Sequence, residues 1–127
     1  MNPDDPAALG AIGQIAITVH DLPRAVQFYR DVLGLRFLFE VPTLAFFDAG
    51  GVRLMLGVPE DPKFDHPASI IYYRVGDIHA AAARLKASGA VMRSEPHLIA
   101  KLPDHELWMV FLEDSEGNTL GLMSEVR

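Results

Sequence analysis

The feature that most limits what this chain can fold into is an internal repeat. Ile15, Ile17 and Val19 alternate with Gln14, Ala16 and Thr18, the period-two pattern of a half-buried strand. Asp21 then offers an N-cap with Pro23 in the first turn. Leu22, Ala25, Val26, Tyr29, Val32 and Leu33 recur at helical spacing up to a stop at Gly34. The same signals return later: Ile71, Tyr73 and Val75 alternate ahead of Asp77, Ile78, Ala81, Ala82 and Leu85 form an apolar stripe, and Gly89 closes it. Val19 and Val75 are 56 residues apart, as are Asp21 and Asp77, and Gly34 to Gly89 is 55. One unit written twice is the simplest account of this spacing.

Three further strands are expected after each helix, over 35–40, 44–48 and 52–58 and then over 90–95, 107–113 and 119–124. The last strand of each set follows a turn, Asp48-Ala49-Gly50-Gly51 or Asp114-Ser115-Glu116-Gly117-Asn118. Both halves read βαβββ, so the fold class is α+β, with paired modules forming a curved sheet that encloses a cavity. We expect one domain, with module 1 over about 12–58, a connector over about 59–68 that holds Pro59, Pro62 and Pro67, and module 2 over about 69–126. Residues 1–11, with Asp4 and Asp5 and no basic start, read as a loose leader and not as a secretory signal.

Composition narrows the partners. At 127 residues two half-size modules bury together what neither would bury alone. A net charge of −6 with scattered Lys and Arg provides no basic stripe, so neither nucleic acid nor an anionic membrane surface is an expected partner. No apolar run approaches the roughly 20 residues that span a bilayer. Without cysteine there is no disulfide framework and no thiolate chemistry, which suits a cytoplasmic location.

A strand followed by Val19-His20-Asp21-Leu22, then Phe28-Tyr29 and Leu33-Gly34-Leu35, and an Asp-x-x-Gly-Asn turn before the last strand, resembles the vicinal oxygen chelate superfamily. That group includes glyoxalase I, the bleomycin-resistance proteins and the extradiol dioxygenases, and the resemblance runs over residues 12–126. It implies a homodimer. It also implies that, in metal-dependent members, the first and fourth strands of each module supply inward His, Gln or Glu ligands to a divalent ion. Matching one half of this chain to the other assigns those positions to Gln14 and Ile70, and to Met55 and Gly121. Only Gln14 carries a hard oxygen donor, so no metal and no other cofactor is expected at that site.

Strand alternation gives an inner face of Gln14, Ala16, Thr18, Arg53, Met55, Ile70, Tyr72, Arg74, Thr119, Gly121 and Met123, apolar walls with a few polar groups that suit a small organic ligand. Val52, Leu54, Leu56, Leu120 and Leu122 are expected to pack on the helices. Arg53 and Arg74 either hold a carboxylate or phosphate through the planar guanidinium fork or project past the strand ends into solvent. The second half carries about eleven extra residues, mostly within Pro96 to Glu106, which read as a loop over the cavity mouth. There His97 or His105 is a candidate general base oriented by Asp104 or Glu106. The same residues are the alternative ligands for Zn, Ni, Mn or Fe, and Trp108 beside them is a candidate for stacking on a ligand.

The expected function is binding of a small organic molecule in the cavity between the modules without the usual metal. The alternatives are a lyase, isomerase or dioxygenase that works through His97, His105 and Glu106, and a catalytically silent interaction module.

Overall fold

A computed structural model of the chain describes residues 6–127. Of the leader expected over 1–11, residues 1–5 lie outside the described residues. The elements follow in the order β1 (Gln14–Thr18), α1 (Leu22–Gln27), β2 (Arg36–Val41), β3 (Leu44–Ala49), β4 (Val52–Gly57), β5 (Ile71–Arg74), α2 (Ile78–Ala87), β6 (Val91–Met92), β7 (His97–Lys101), β8 (Glu106–Glu113) and β9 (Thr119–Val126). A short 3-10 turn, Pro62–Phe64, lies between β4 and β5.

β1 to β4 form one sheet in the order β1-β4-β3-β2, and β5 to β9 form a second in the order β5-β9-β8-β6, with β7 also on β8. In both, the first strand runs parallel to the last and the other pairings are antiparallel. The registers agree as well, since Ala16 faces Met55 and Tyr72 faces Gly121. Both sheets are curved and neither is closed.

Each helix starts where the sequence caps it. The Asp21 carboxylate accepts from the Arg24 N–H at 3.1 Å and that of Asp77 from the Ala80 N–H at 3.0 Å. Gly51 and Gly117 both hold positive φ, 96° and 80°, in the turns before β4 and β9, a conformation that costs a residue with a Cβ. Ile17, Leu54, Leu56 and Phe47 pack with Leu22, Ala25, Val26 and Tyr29 in one core. Leu120, Leu122, Val110 and Leu112 pack with Ile78, Ala82 and Leu85 in the other. Burying that face of each sheet against its own helix fixes the opposite, inner face by alternation.

Two expected elements differ. The first helix does not run as one α-helix to Gly34, because from Phe28 to Val32 it widens into a π-helical turn in which the Leu33 N–H donates to the Phe28 carbonyl at 2.9 Å. The expected loop over 96–106 is a hairpin, since the apolar run Leu98-Ile99-Ala100 pairs with Trp108 and Leu107 on β8, leaving only 102–105 as the turn. The strand expected over 90–95 is correspondingly broken. β6 covers two residues, and the Ser94 hydroxyl then accepts the Phe111 N–H at 3.0 Å in place of a ladder carbonyl. Pro96, which has no N–H to give, follows before β7 resumes the edge.

The modules are joined on the helix side. The Tyr29 hydroxyl donates to buried Asp114 at 2.7 Å, Glu116 accepts from the His20 and Asp21 N–H groups at 3.1 and 2.7 Å, and Arg84 donates to the Val32 carbonyl at 3.0 Å. No helix among the described residues is long and apolar enough to cross a membrane.

Candidate functional site

On the inner face of module 1 the register forms two rows. One runs Gln14, Arg53, Asp48, Arg36, and the next runs Ala16, Met55, Phe46, Phe39. The Arg53 Nε donates to Gln14 Oε1 at 2.8 Å, and its guanidinium lies over the Phe46 ring, 5.2 Å from the centroid. Phe46 stacks on Phe39 with centroids 4.5 Å apart, and the Gln14 amide touches the Met55 sulfur at 3.6 Å. Thr18 continues this face and contacts the Phe64 carbonyl at 3.5 Å.

The inner face of module 2 has different chemistry. Arg74, Met123, Met109 and His97 share one row, and Tyr72, Gly121 and Phe111 share the next. Tyr72 meets Phe111 edge to face at 5.7 Å, and its ring lies so close over Gly121 that a Cβ there would stand 2.7 Å from the ring. Arg74 is paired with Glu125 at 3.2 Å. Ile70, the residue before β5, is half exposed.

These faces do not enclose a cavity within one chain. Phe39 is 46% exposed, Tyr72 41% and Ile70 49%, and no hydrogen bond or ring contact among the described residues joins Gln14 or Met55 to Ile70 or Gly121. A cavity of about 510 Å³ does lie between the modules, but Leu33, Gly50, Tyr73, Arg84, Leu85 and Leu122 are among its walls and neither Gln14 nor Met55 is. Tyr73 beside it is held by burial, and secondarily by the charge of Asp114, at a pKa pushed up to about 12.

The candidate catalytic residues are not brought together. His97 stands on the inner face beside Phe111, with Nδ1 3.0 Å from the Glu95 carbonyl oxygen. His105 lies in the hairpin turn, 2.8 Å from Asp104. Glu106, in register with Lys101, is on the opposite face from His97, and it accepts the Trp108 indole N–H at 3.2 Å. Lys101 lies four steps along β7 from His97, roughly 13 Å along the hairpin. Asp104 is held below the ordinary carboxylate range by its hydrogen bonds to His105 and Arg127.

Trp108 is a correction of placement. It shares its face with Val110 and Leu112, packs on the module 2 core, and meets His79 of α2 edge to face at 5.4 Å, away from Gly121 and Met123. Trp108 falls within the strand expected over 107–113, and carrying alternation back from Val110 and Leu112 places it on the helix-facing side. The same alternation, carried into β3 and β8, would have added Phe46 and Phe111 to the inner face.

The four positions that the resemblance assigns to a divalent ion do not form a ligand set. Gln14 offers its one oxygen to a guanidinium, Met55 a thioether, Ile70 nothing, and the space above Gly121 holds the Tyr72 ring. Nor do three His, Asp or Glu residues gather elsewhere among the described residues as a metal site would require.

Comparison with known proteins agrees with this architecture. Metallothiol transferase FosB of Staphylococcus epidermidis is 27% identical over 111 residues, 86% of this chain and 63% of that protein. FosB of Staphylococcus haemolyticus is 40% identical over 45 residues, 35% of this chain and 32% of its own. The chain thus spans less than two thirds of these curated relatives. Among solved structures, a superfamily member from Sphaerobacter thermophilus DSM 20745 superposes with a TM-score of 0.74 at 20% identity over 92% of this chain and 98% of its own. Lactoylglutathione lyase of Agrobacterium tumefaciens does so with a TM-score of 0.70 at 24% identity, over 91% and 94%. Residues 11–122 match a family by sequence as well as by shape, and on that match the chain belongs to the Glyoxalase/Bleomycin resistance protein/Dioxygenase superfamily.

Proposed function

We propose that this protein binds a small organic molecule between the inner faces of its modules, with a second copy of the chain covering faces that one copy leaves open, and without a resident divalent metal. The observation that carries this reading is the inner face of module 1, where an aromatic floor of Phe46 and Phe39 lies beside an oriented polar group, Arg53 on Gln14. An apolar wall with few polar anchors is the ordinary make-up of a ligand pocket. Tyr72, Phe111 and Met123 offer a second apolar wall. Exposed Phe39, Val41, Ile70 and Tyr72 are the surface that pairing would cover. A cytoplasmic location is part of the same reading, in keeping with a cysteine-free sequence.

The reading as a lyase, isomerase or dioxygenase needs His97, His105 and Glu106 at one place, and their separation along and across the hairpin argues against it. The test is sedimentation velocity together with a thermal-shift screen of small aromatic and aliphatic compounds on the full chain. A dimer whose hits are lost in Phe46→Ala and Met55→Ala is the expected result. A monomer, or hits indifferent to both substitutions, would remove the reading in favour of a silent interaction module.

A further inference from the structure

We infer that Arg53 is a carboxylate clamp, so that the ligand class is a small monoanionic organic acid with an apolar body. The inference rests on the pocket reading above and specifies its occupant. Five of the eight arginines are in ion pairs: Arg24, Arg30, Arg74, Arg93 and Arg127. Arg53 is different. Its guanidinium is fixed by Gln14 at Nε and by the Phe46 face, while no acceptor among the described residues meets Nη1 or Nη2. Asp48, its cross-strand neighbour, turns its Oδ1 to the Gly51 N–H at 3.0 Å and forms no ion pair with Arg53.

A guanidinium fixed at one end presents two parallel N–H donors at the other, the geometry that a carboxylate accepts in bidentate fashion. Phe46 lies against the guanidinium, with Phe39 stacked on it and Met55 its cross-strand neighbour, so an apolar body attached to the carboxylate would lie along them. Charge decides between oxyanions. On the facing sheet Arg74 is paired with Glu125, and on this one the row of Arg53, Asp48 and Arg36 sums to a single positive charge, which matches one negative charge. A dianionic phosphate would leave a charge unmatched. The same guanidinium holds the Gln14 oxygen that a divalent ion would require, so the arginine stands in for the ion as the positive centre of this face.

The test is isothermal titration of the full chain with matched pairs, benzoate against benzamide and 3-phenylpropionate against its amide, with inorganic phosphate as competitor. Each acid is expected to bind about tenfold more tightly than its amide, the worth of a charge-assisted hydrogen bond. Arg53→Gln should erase that preference while amide binding persists, Arg53→Lys should restore only part of it, and Arg30→Gln, the same charge change elsewhere, should leave it intact. Acids that bind no better than amides, or a preference that survives Arg53→Gln, would overturn the clamp and leave the pocket standing. Phosphate displacing benzoate at equal concentration would overturn the monoanion assignment. If none of the acids binds, the clamp is overturned, and the compound screen judges the pocket separately.

Discussion

Module 1 and module 2 share an order of strands, a register and the positions of their turn glycines, yet they put different chemistry on their inner faces and different joints at their rims. Where module 1 has Met55 beside Gln14 and Arg53, module 2 has Gly121 beneath the ring of Tyr72. The Asp114 turn takes the Tyr29 hydroxyl, the Glu116 and Asn118 N–H groups and the Asn118 amide, whereas Asp48, in the equivalent turn, takes one N–H from Gly51. The frame depends on what faces the helices, and that is alike in both halves. What faces inward, and what seals the edges, is free to differ, and there the halves have taken different roles.

The two modules should differ most when their turn carboxylates are removed. Asp114→Ala should cost about 3 kcal/mol in urea unfolding, because several hydrogen bonds go and the buried Tyr29 hydroxyl loses its acceptor. Asp48→Ala should cost about 1 kcal/mol or less, and equal losses would mean that the turns are equivalent after all.

Gly121→Ala comes next, at about 1–2 kcal/mol, since the new methyl meets the Tyr72 ring. Most of that cost should vanish in the background of Tyr72→Ala, and a cost unchanged there would show that the close approach does not matter.

A smaller effect concerns alkaline pH. Burial, and secondarily the Asp114 charge, raise the folded pKa of Tyr29 and of Tyr73, the latter from 10.0 to about 12. The folded state therefore keeps protons that the unfolded chain releases. This part of the stability is complete below pH 10 and is lost as pH rises from about 10 toward 12 and beyond. Ultraviolet absorbance should show these two tyrosinates forming together with unfolding, and their appearance in the folded protein below pH 10 would contradict the joint.

The smallest effect is at the hairpin tip. Asp104 has a lowered pKa from His105 and Arg127, so its contribution is present above the ordinary carboxylate range and is lost as pH falls through its folded value. Asp104→Asn should flatten the acid limb of the stability profile only slightly, because the pair is exposed.

Much of the frame was legible in the chain, and the reason is local. Asp21 and Asp77 cap through their own side chains, Gly51 and Gly117 allow the turns, and alternation in β4 and β9 separates helix-facing from inward residues. What escaped was set by partners distant in sequence. The π-helical turn at Phe28–Val32, the Tyr29–Asp114 joint and the pairing of β7 on β8 each depend on contacts that periodicity does not report. At the candidate site the side-chain positions of Gln14, Arg53, Met55, Tyr72 and Gly121 were readable from the repeat. The neutralisation of Arg74 by Glu125, the turning of Trp108 to α2 and the dispersal of His97, His105 and Glu106 were not.

The Gln14 oxygen is held by the Arg53 guanidinium, and on this account it is not available to an ion. Titrating the chelator-treated protein with manganese, nickel or zinc, followed by elemental analysis after desalting, tests it directly. No stoichiometric retention in the natural sequence is the expected result. One ion retained per chain and lost on Gln14→Ala would contradict it.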